Sequence, residues 1–368
     1  MVAIMKKTVC LLCALLLLCG AGCANQTGQP PQRRYEGSFI DVFDTVTKVI
    51  LYETDEQSAA ARMEGLHQAF VEYHQLFDIY HDYEGVNNLK TVNDNAGVAP
   101  VKVDERIMDL LLFSKEAYEL TQGRVNIAMG SVLRVWHEYR QAGIDAPQSA
   151  ELPPMELLDA AAEHTDINDL VVDEEAGTVF LRDPHMRLDV GAIAKGYAVQ
   201  QVALRQAEEG VSSLLLSVGG NVCAIGRRAD GKDWKVSVQS PDMSGSLLSL
   251  AVNGQSLVTS GVYQRYYTVG GARYHHIIDP QTLMPAAYFD AVSILCEDSA
   301  LADALSTAVF NMPLEQGRAL VERLNGVEAL WVTPDGALIY SSGFALFIAE
   351  EDNAGAGAKA EPERGNAA

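Results

Sequence analysis

Cysteine is scarce in this chain of 368 residues and unevenly placed: Cys10, Cys13, Cys19 and Cys23 lie in the first 23 positions, leaving Cys223 and Cys296 for the body. Two cysteines without metal-ligand spacing exclude a disulfide framework and a zinc site, while one disulfide between them stays open. Positive charge is also short, with 27 Lys and Arg against 49 Asp and Glu and a formal net charge of −22. That balance excludes a nucleic-acid-binding surface, which needs a basic stripe. One locally basic pocket for a single anionic cofactor is compatible with it, because net charge governs solubility and long-range field. There is no Gly-x-Ser-x-Gly, no P-loop Gly-Lys-Ser/Thr and no paired-cysteine zinc pattern. Their absence removes the usual serine hydrolase, P-loop ATPase and zinc-enzyme readings.

What is present begins with a leader. Lys6-Lys7 precede the apolar run Val9–Leu18, which is too short to span a bilayer as a permanent helix, and Gly20-Ala21-Gly22-Cys23 follows. This is similar to a lipoprotein-type signal peptide over 1–23 with Cys23 as the lipidated residue, although Gly20 stands where such signals usually have leucine. The expectation is an exported chain, lipid-anchored to the outer face of the bacterial cytoplasmic membrane or periplasmic. Residues 24–37 are polar and Pro-containing, a flexible tether. A folded domain is expected over 38–347, and 348–368 read as a disordered acidic tail.

Within the domain, Ser38–Tyr52 alternates as a strand. Ala59, Met63, Leu66, Phe70, Tyr73 and Phe77 recur at spacings of 4, 3, 4, 3 and 4, which predicts a long amphipathic helix from about Glu56 to Phe77. Asp78–Asn95 reads as loop, and further helices are expected near Asp104–Thr121, Met155–Ala162, Ser299–Asn311 and Leu314–Leu324. Turn chemistry marks hairpins around Glu175-Ala176-Gly177, Gly219-Gly220, Val269-Gly270-Gly271 and Pro334-Asp335-Gly336. Trp234–Gln239 reads as a strand, and Leu247–Val252 is expected to pair with Leu257–Thr259. Hairpins and helices without regular βα alternation argue an α+β fold.

Three constellations carry chemistry. In Leu188–Gly226 a short strand ends at Asp189, a Gly-rich turn follows, and Lys195 stands six residues on at a helix N-terminus. Exposed N–H groups at such a turn can hold a phosphate, although a tight turn kept for packing uses the same residues. In Tyr274-His275-His276-Ile277-Ile278-Asp279-Pro280, strand alternation sends the two histidines to opposite faces, so one alone can serve a site. On the helix SALADALSTAVFN, Asp303 and Thr307 are neighbours at i, i+4, away from the apolar stripe of Leu301, Leu305, Ala308 and Val309. A solvated helix face has that pattern too, but a stacked carboxylate and hydroxyl suit oxygen coordination of Mg²⁺.

Taken in order, LDVGAIAKGYAVQQVA with SVGGNVCAIG, VTSGVYQRYY, YHHIIDP and LADALSTAVF resemble the ApbE family, the FAD:protein FMN transferases. The resemblance implies an α+β, T-fold-related fold of two subdomains with a flavin cleft between them. It also implies Mg²⁺-dependent transfer of FMN from FAD to a threonine hydroxyl of an exported or membrane-associated acceptor flavoprotein, releasing AMP. Carried over by position, the metal would be held by Asp303, Thr307 and the Ala192 carbonyl. FAD would meet Phe43, Tyr80, Arg124, Val125, Asn126, Asp189, Lys195, His276 and Ile277, with Lys195 and His276 as the catalytic pair and His276 as candidate base. Three departures from the family pattern stand out: Phe43-Asp44 where Met-Gly is common, Asn126-Ile127-Ala128 in place of residues that often include Asp and Thr, and Leu283 where glycine is usual. The last predicts a different turn after Asp279. Competing readings of the same residues are an Mg²⁺-dependent FAD pyrophosphatase and an exported flavin-binding lipoprotein without turnover.

Overall fold

The computed structural model describes residues 32–263 and 265–349, so the leader with Cys23, most of the tether and nearly all of the tail lie outside the described residues. In chain order the strands and helices begin with β1 (Arg33–Val42), β2 (Thr45–Glu53), α1 (Glu56–Phe77), α2 (Leu89–Asp94), β3 (Val101–Lys102) and α3 (Glu105–Leu120). They continue with α4 (Gly130–Asp145), α5 (Met155–Ala162), β4 (Leu170–Asp173), β5 (Thr178–Leu181), α6 (Ala194–Glu208), β6 (Leu214–Val218) and β7 (Asn221–Ile225). The remainder is β8 (Trp234–Gln239), β9 (Ser246–Val252), β10 (Ser256–Gly261), β11 (Tyr266–Val269), β12 (Ala272–His275), β13 (Ala291–Cys296), α7 (Ser299–Phe310), α8 (Leu314–Glu322), β14 (Glu328–Val332) and β15 (Leu338–Tyr340). No described helix is long and apolar enough to cross a membrane.

The frame is an eight-stranded antiparallel sheet in the order β1-β2-β6-β7-β10-β13-β14-β15. Both faces are covered, which is why every residue of β13 is buried and Ser293, bonded to the Thr259 hydroxyl, is its one polar residue. On one side Val292, Ile294 and Cys296 join the core that also holds Leu305, Ala308 and Val309 of α7. On the other, Ala291 and Leu295 meet Trp234, Val236 and Leu250 of the β8–β9 hairpin and Phe344. Helices α1 and α6 pack over β2 and β6 through Leu66, Phe70, Val199 and Val202 against Val49, Leu51, Leu214 and Leu216. A separate cluster joins α4 and α5 to the β11–β12 hairpin through Val132, Trp136, Leu158 and Tyr267.

Three expectations change. The strand expected over Ser38–Tyr52 is a hairpin, because Phe43 and Asp44 both take left-handed backbone conformations (φ 53° and 50°) between the paired residues Val42 and Thr45. Strand β9 pairs with β8, not β10: Trp234, Val236 and Val238 fall opposite Val252, Leu250 and Leu248, which puts all their apolar side chains on one face. The α2 helix interrupts the expected loop, capped by reciprocal bonds between Asn88 and Thr91. In the turn after Asp279, Leu283 adopts φ 59° and its carbonyl accepts from Trp136 Nε1 at 2.8 Å.

The open disulfide question closes as well. Cys223 and Cys296 face Ser256 from strands on its two sides, and both are buried free thiols. Two strand spacings, about 9.6 Å, exceed the reach of a disulfide.

The turns at Phe43-Asp44 and Gly219-Gly220 lie side by side at one end of the sheet. A Cβ on Gly219 (φ 52°) would fall 2.5 Å from the Thr45 hydroxyl, so glycine is required there by space as well as by conformation. Asp44 pays the left-handed cost without that excuse, being exposed. Replacing Asp44 by Gly is therefore expected to raise unfolding stability by about 1 kcal/mol, read from urea denaturation midpoints at unchanged m value.

Candidate active site

The site is built on the segment entering α6. Buried Asn93 accepts from Leu188 N at 2.7 Å and donates to Leu188 O at 3.0 Å, clamping the backbone as a strand partner would. Asp189 N donates to Ile127 O at 2.8 Å, and the Asp189 carboxylate accepts from Gly191 N at 2.9 Å, which folds the Gly-rich turn back on itself. Helix α6 then starts at Ala194 with Ile193 in the cap position, a side chain that can cap nothing.

The missing cap comes from another helix. Asp303 Oδ2, on α7, accepts from Gly196 N at 2.7 Å. This approach demands glycine: a Cβ at position 196 would sit 2.3 Å from Asp303 Cβ and 2.4 Å from Ser299 O. One consequence falls on Ala192, four residues back, whose carbonyl receives no backbone amide within the described residues because Gly196 N is turned to Asp303. Lys195 Nζ donates to Gly191 O at 3.3 Å and stands 4.0 Å from Asp303 Oδ2.

Far from lying on a solvated face, Asp303 is 5% exposed on a helix buried nearly all round. Burial raises its pKa above the ordinary 3.8 even though Lys195 and the Gly196 amide pull the other way. The half-buried Thr307 one turn on has a hydroxyl without a partner among the described residues, whereas its neighbour Ser306 donates to the Asp303 carbonyl at 2.9 Å. An under-neutralised carboxylate, an unpartnered hydroxyl and an unbonded carbonyl are hard oxygen donors, and they fit Mg²⁺. Among the described residues no group of three His, Cys, Asp or Glu could hold a metal, so water and phosphate oxygens would have to complete the shell.

The opposite wall is aromatic and basic. Tyr80 is 55% exposed, and its ring lies 5.8 Å from that of His137. Desolvation first, then the charge of Asp189, pushes its hydroxyl up to about 12, with Asp44 adding to the rise and Arg140 and Arg265 opposing it. Arg140 Nη2 meets His137 Nδ1 at 2.9 Å, and burial followed by repulsion from Arg265 lowers its pKa. Asp189 is raised by desolvation, against the pull of Gly191 N, His137, Arg140 and Arg265. These mutual influences gather Tyr80, Asp44, His137, Arg140, Asp189 and Arg265 around one space.

The two histidines divide as strand alternation requires. His275 is buried: Nδ1 accepts from Ile277 N at 3.2 Å, so Nε2 carries the proton and donates to Ala286 O at 2.8 Å. His276 turns the other way, its Nδ1 3.2 Å from Arg265 O. Burial, then Arg265, His275, Arg140 and Lys195, lower its pKa to about 3, far from the near-neutral titration an unperturbed imidazole would show.

Several residues carried over from sequence are committed elsewhere. Arg124 is buried and bonds Asn311 O and Asp279, at 2.5 and 3.3 Å. Asn126 donates to Thr165 O at 2.9 Å and accepts from Ala128 N at 2.9 Å. The side chains of Val125 and Ile277 belong to the apolar core. Arg124, Val125 and Ile277 are buried, and the half-buried Asn126 side chain bonds within its own surroundings. Near Asp189 stand also His137, Arg140 and Arg265: His137 and Arg140 are i, i+3 neighbours on α4, while nothing in the sequence links Arg265 to them.

The ApbE family model matches residues 43–331, which take in six of the eight strands of the central sheet and every segment just described. The chain belongs to the ApbE family. It is 32% identical over 275 residues to the FAD:protein FMN transferase of Klebsiella pneumoniae (strain 342), covering 73% of this chain and 83% of that protein. To the FAD:protein FMN transferase of Treponema pallidum (strain Nichols) it is 32% identical over 345 residues, 89% of this chain and 91% of that one. The solved ApbE protein of Thermotoga maritima superposes with a TM-score of 0.76 at 27% identity, over 86% of this chain and all of that one. The α+β architecture expected from the sequence is thus the architecture of ApbE structures.

Because Asp303 has a folded-state pKa above its unfolded one, the stability tied to that shift is present in acid and lost as pH rises through the folded value. Asp303→Asn keeps an acceptor for Gly196 and removes the buried charge. In EDTA it is expected to be more stable than the parent at pH 7, with the advantage shrinking toward pH 4, as thermal unfolding across that range would show. Gly196→Ala is expected to cost about 1–3 kcal/mol of stability by overpacking, measured by denaturant unfolding.

Proposed function

We propose that this chain transfers FMN from FAD to a threonine hydroxyl of an exported or membrane-associated acceptor flavoprotein, releasing AMP, with Mg²⁺ held by Asp303, Thr307 and the Ala192 carbonyl. The observation that carries the reading is the donor set itself: buried Asp303 beside Lys195, with the unpartnered Thr307 hydroxyl one turn away. The family's curated relatives, named FAD:protein FMN transferase, support the reaction class. Residues 1–23 support an exported, lipid-anchored chain through their positive start, short apolar run and Cys23.

In the reaction the acceptor threonine oxygen bonds to the FMN-side phosphorus, the bond from that phosphorus to the bridging oxygen breaks, and AMP departs. Mg²⁺ would supply neutralisation of the pyrophosphate charge. Lys195, held by Gly191 O, places a fixed ammonium beside the same phosphates. Phe43 and Tyr80 supply aromatic surface for the flavin, and Asp189, tied to Gly191 N, presents a polar edge.

His276 takes the threonine proton. With a pKa of about 3 it is neutral, and a weak base, in the free protein. An anionic pyrophosphate offsets the repulsion from Arg265, Arg140 and Lys195 and raises its basicity only in the complex. The expected signature is a kcat/KM profile without a His276 limb between pH 5 and 8 and a kcat profile whose acidic limb lies at higher pH. Identical limbs in both profiles, or unchanged transfer by His276→Ala at saturating FAD and Mg²⁺, would refute the role.

Incubation with FAD, Mg²⁺ and a candidate acceptor, followed by intact-protein mass measurement and separate assay of free FMN, tests the function. Covalent FMN on threonine is the expected product; free FMN alone would mean hydrolysis, and neither product would mean a binding protein. Asp303→Ala is expected to abolish Mg²⁺-dependent turnover.

A further inference from the structure

The Phe43-Asp44 turn is an energetic anomaly. Two successive non-glycine residues hold left-handed conformations, each disfavoured by Cβ sterics, so surrounding structure must hold them there. What holds them can be followed atom by atom. Phe43 N donates to His74 Nδ1 at 3.3 Å, and the two rings meet edge-on with centroids 5.6 Å apart. With Nδ1 accepting, the ring proton sits on Nε2, which lies 3.3 Å from the Tyr83 hydroxyl and donates to it. Tyr83 in turn donates to Asp78 Oδ2 at 2.8 Å.

Asp78 is the far anchor. Its Oδ1 accepts from Tyr80 N at 2.6 Å and from His81 N at 3.2 Å, and its Oδ2 also meets His81 Nδ1 at 2.9 Å. Burial would raise this carboxyl, but these bonds outweigh it and hold it below the ordinary value. One unbroken run of hydrogen bonds therefore leads from the backbone of Phe43 to the backbone of Tyr80. Its supports are rigid: His74 sits in the last turn of the 22-residue helix α1, Val86 N closes the loop onto Tyr83 O at 3.1 Å, and Lys90 N bonds Asp78 O at 3.0 Å.

We propose that His74 is a positioning residue for the flavin, acting with Tyr83 and Asp78 to lock the Phe43 turn and the Tyr80 loop into one frame. The two aromatic contacts then keep their separation before the flavin arrives, so that binding does not have to order them. This rests on the reading of Phe43 and Tyr80 as flavin contacts. On that reading the relay acts on the isoalloxazine and not on the phosphates, because the residues it joins are the two aromatic contacts.

The test compares riboflavin, FMN and FAD, whose fluorescence reports binding, with the full chain and its Tyr83→Phe and His74→Phe variants. Tyr83→Phe removes one hydroxyl and keeps the ring. It is expected to weaken all three flavins by the same factor, roughly three- to tenfold, the scale of one net hydrogen bond. The Mg²⁺ midpoint for FAD turnover is expected to stay where it is. The double variant is expected to bind no worse than His74→Phe alone, because both break one relay. Riboflavin affinity within twofold of the parent in Tyr83→Phe, losses that multiply in the double variant, or weakening confined to FAD would overturn the proposal. Tyr83→Phe decides by itself if His74→Phe fails to fold. A parent chain that binds no flavin would overturn the functional reading, a result distinct from a parent that binds and a variant that binds equally well.

Discussion

The bond from Gly196 N to Asp303 Oδ2 is the contact on which the site depends. It joins the start of α6 to the middle of α7, two helices lying on the same face of the central sheet. A helix whose own cap residue is isoleucine leaves its first-turn amides open, and a carboxylate is the natural group to satisfy one of them. Only a glycine lets that carboxylate come close enough. The same bond leaves the Ala192 carbonyl without its helical amide. A single interaction thus fixes two of the three oxygen donors and their relation to Lys195.

Around that bond the molecule concentrates what the rest of its surface lacks. A chain with a formal net charge of −22 gathers Arg140, Arg265, His137 and Lys195 about His276 and Asp189. None of the salt bridges among described residues neutralises Arg140 or Arg265. Mutual repulsion of this kind is unfavourable in the free protein and is relieved by an anion, so the cost falls on the empty state and the gain on the complex. The His74–Tyr83–Asp78 relay instead links the Phe43 turn to the Tyr80 loop and ends on a carboxylate, Asp78, that its own hydrogen bonds keep ionised.

Much of this was legible in the sequence. The α1 stripe gave its helix from Glu56 to Phe77 because one buried face imposes a 3.6-residue period, and the Gly219-Gly220 turn followed from glycine's tolerance of positive φ. Strand alternation correctly separated His275 from His276. Failures occurred where local rules met a tertiary exception. Phe43, Asp44 and Leu283 adopt left-handed conformations that their side chains disfavour, so neither the β1–β2 turn nor the left-handed residue at Leu283 could be read from residue type. The pairing of β9 with β8 rests on which faces are covered, a property of the assembled sheet.

The family, the α+β class and the residues able to carry chemistry are written in the chain as motif order and side-chain type. The state of those residues is set by the folded arrangement. Arg124 was a candidate flavin contact until burial beside Asp279 and the Asn311 carbonyl committed it, while Arg140 was not a candidate at all. Asp303 was a helix-face carboxylate until packing made it a desolvated cap, and His276 was an ordinary imidazole until burial first, and cations from separate segments second, lowered its basicity. Protonation and availability are set by through-space neighbours and lost water, and neither is encoded at the residue concerned.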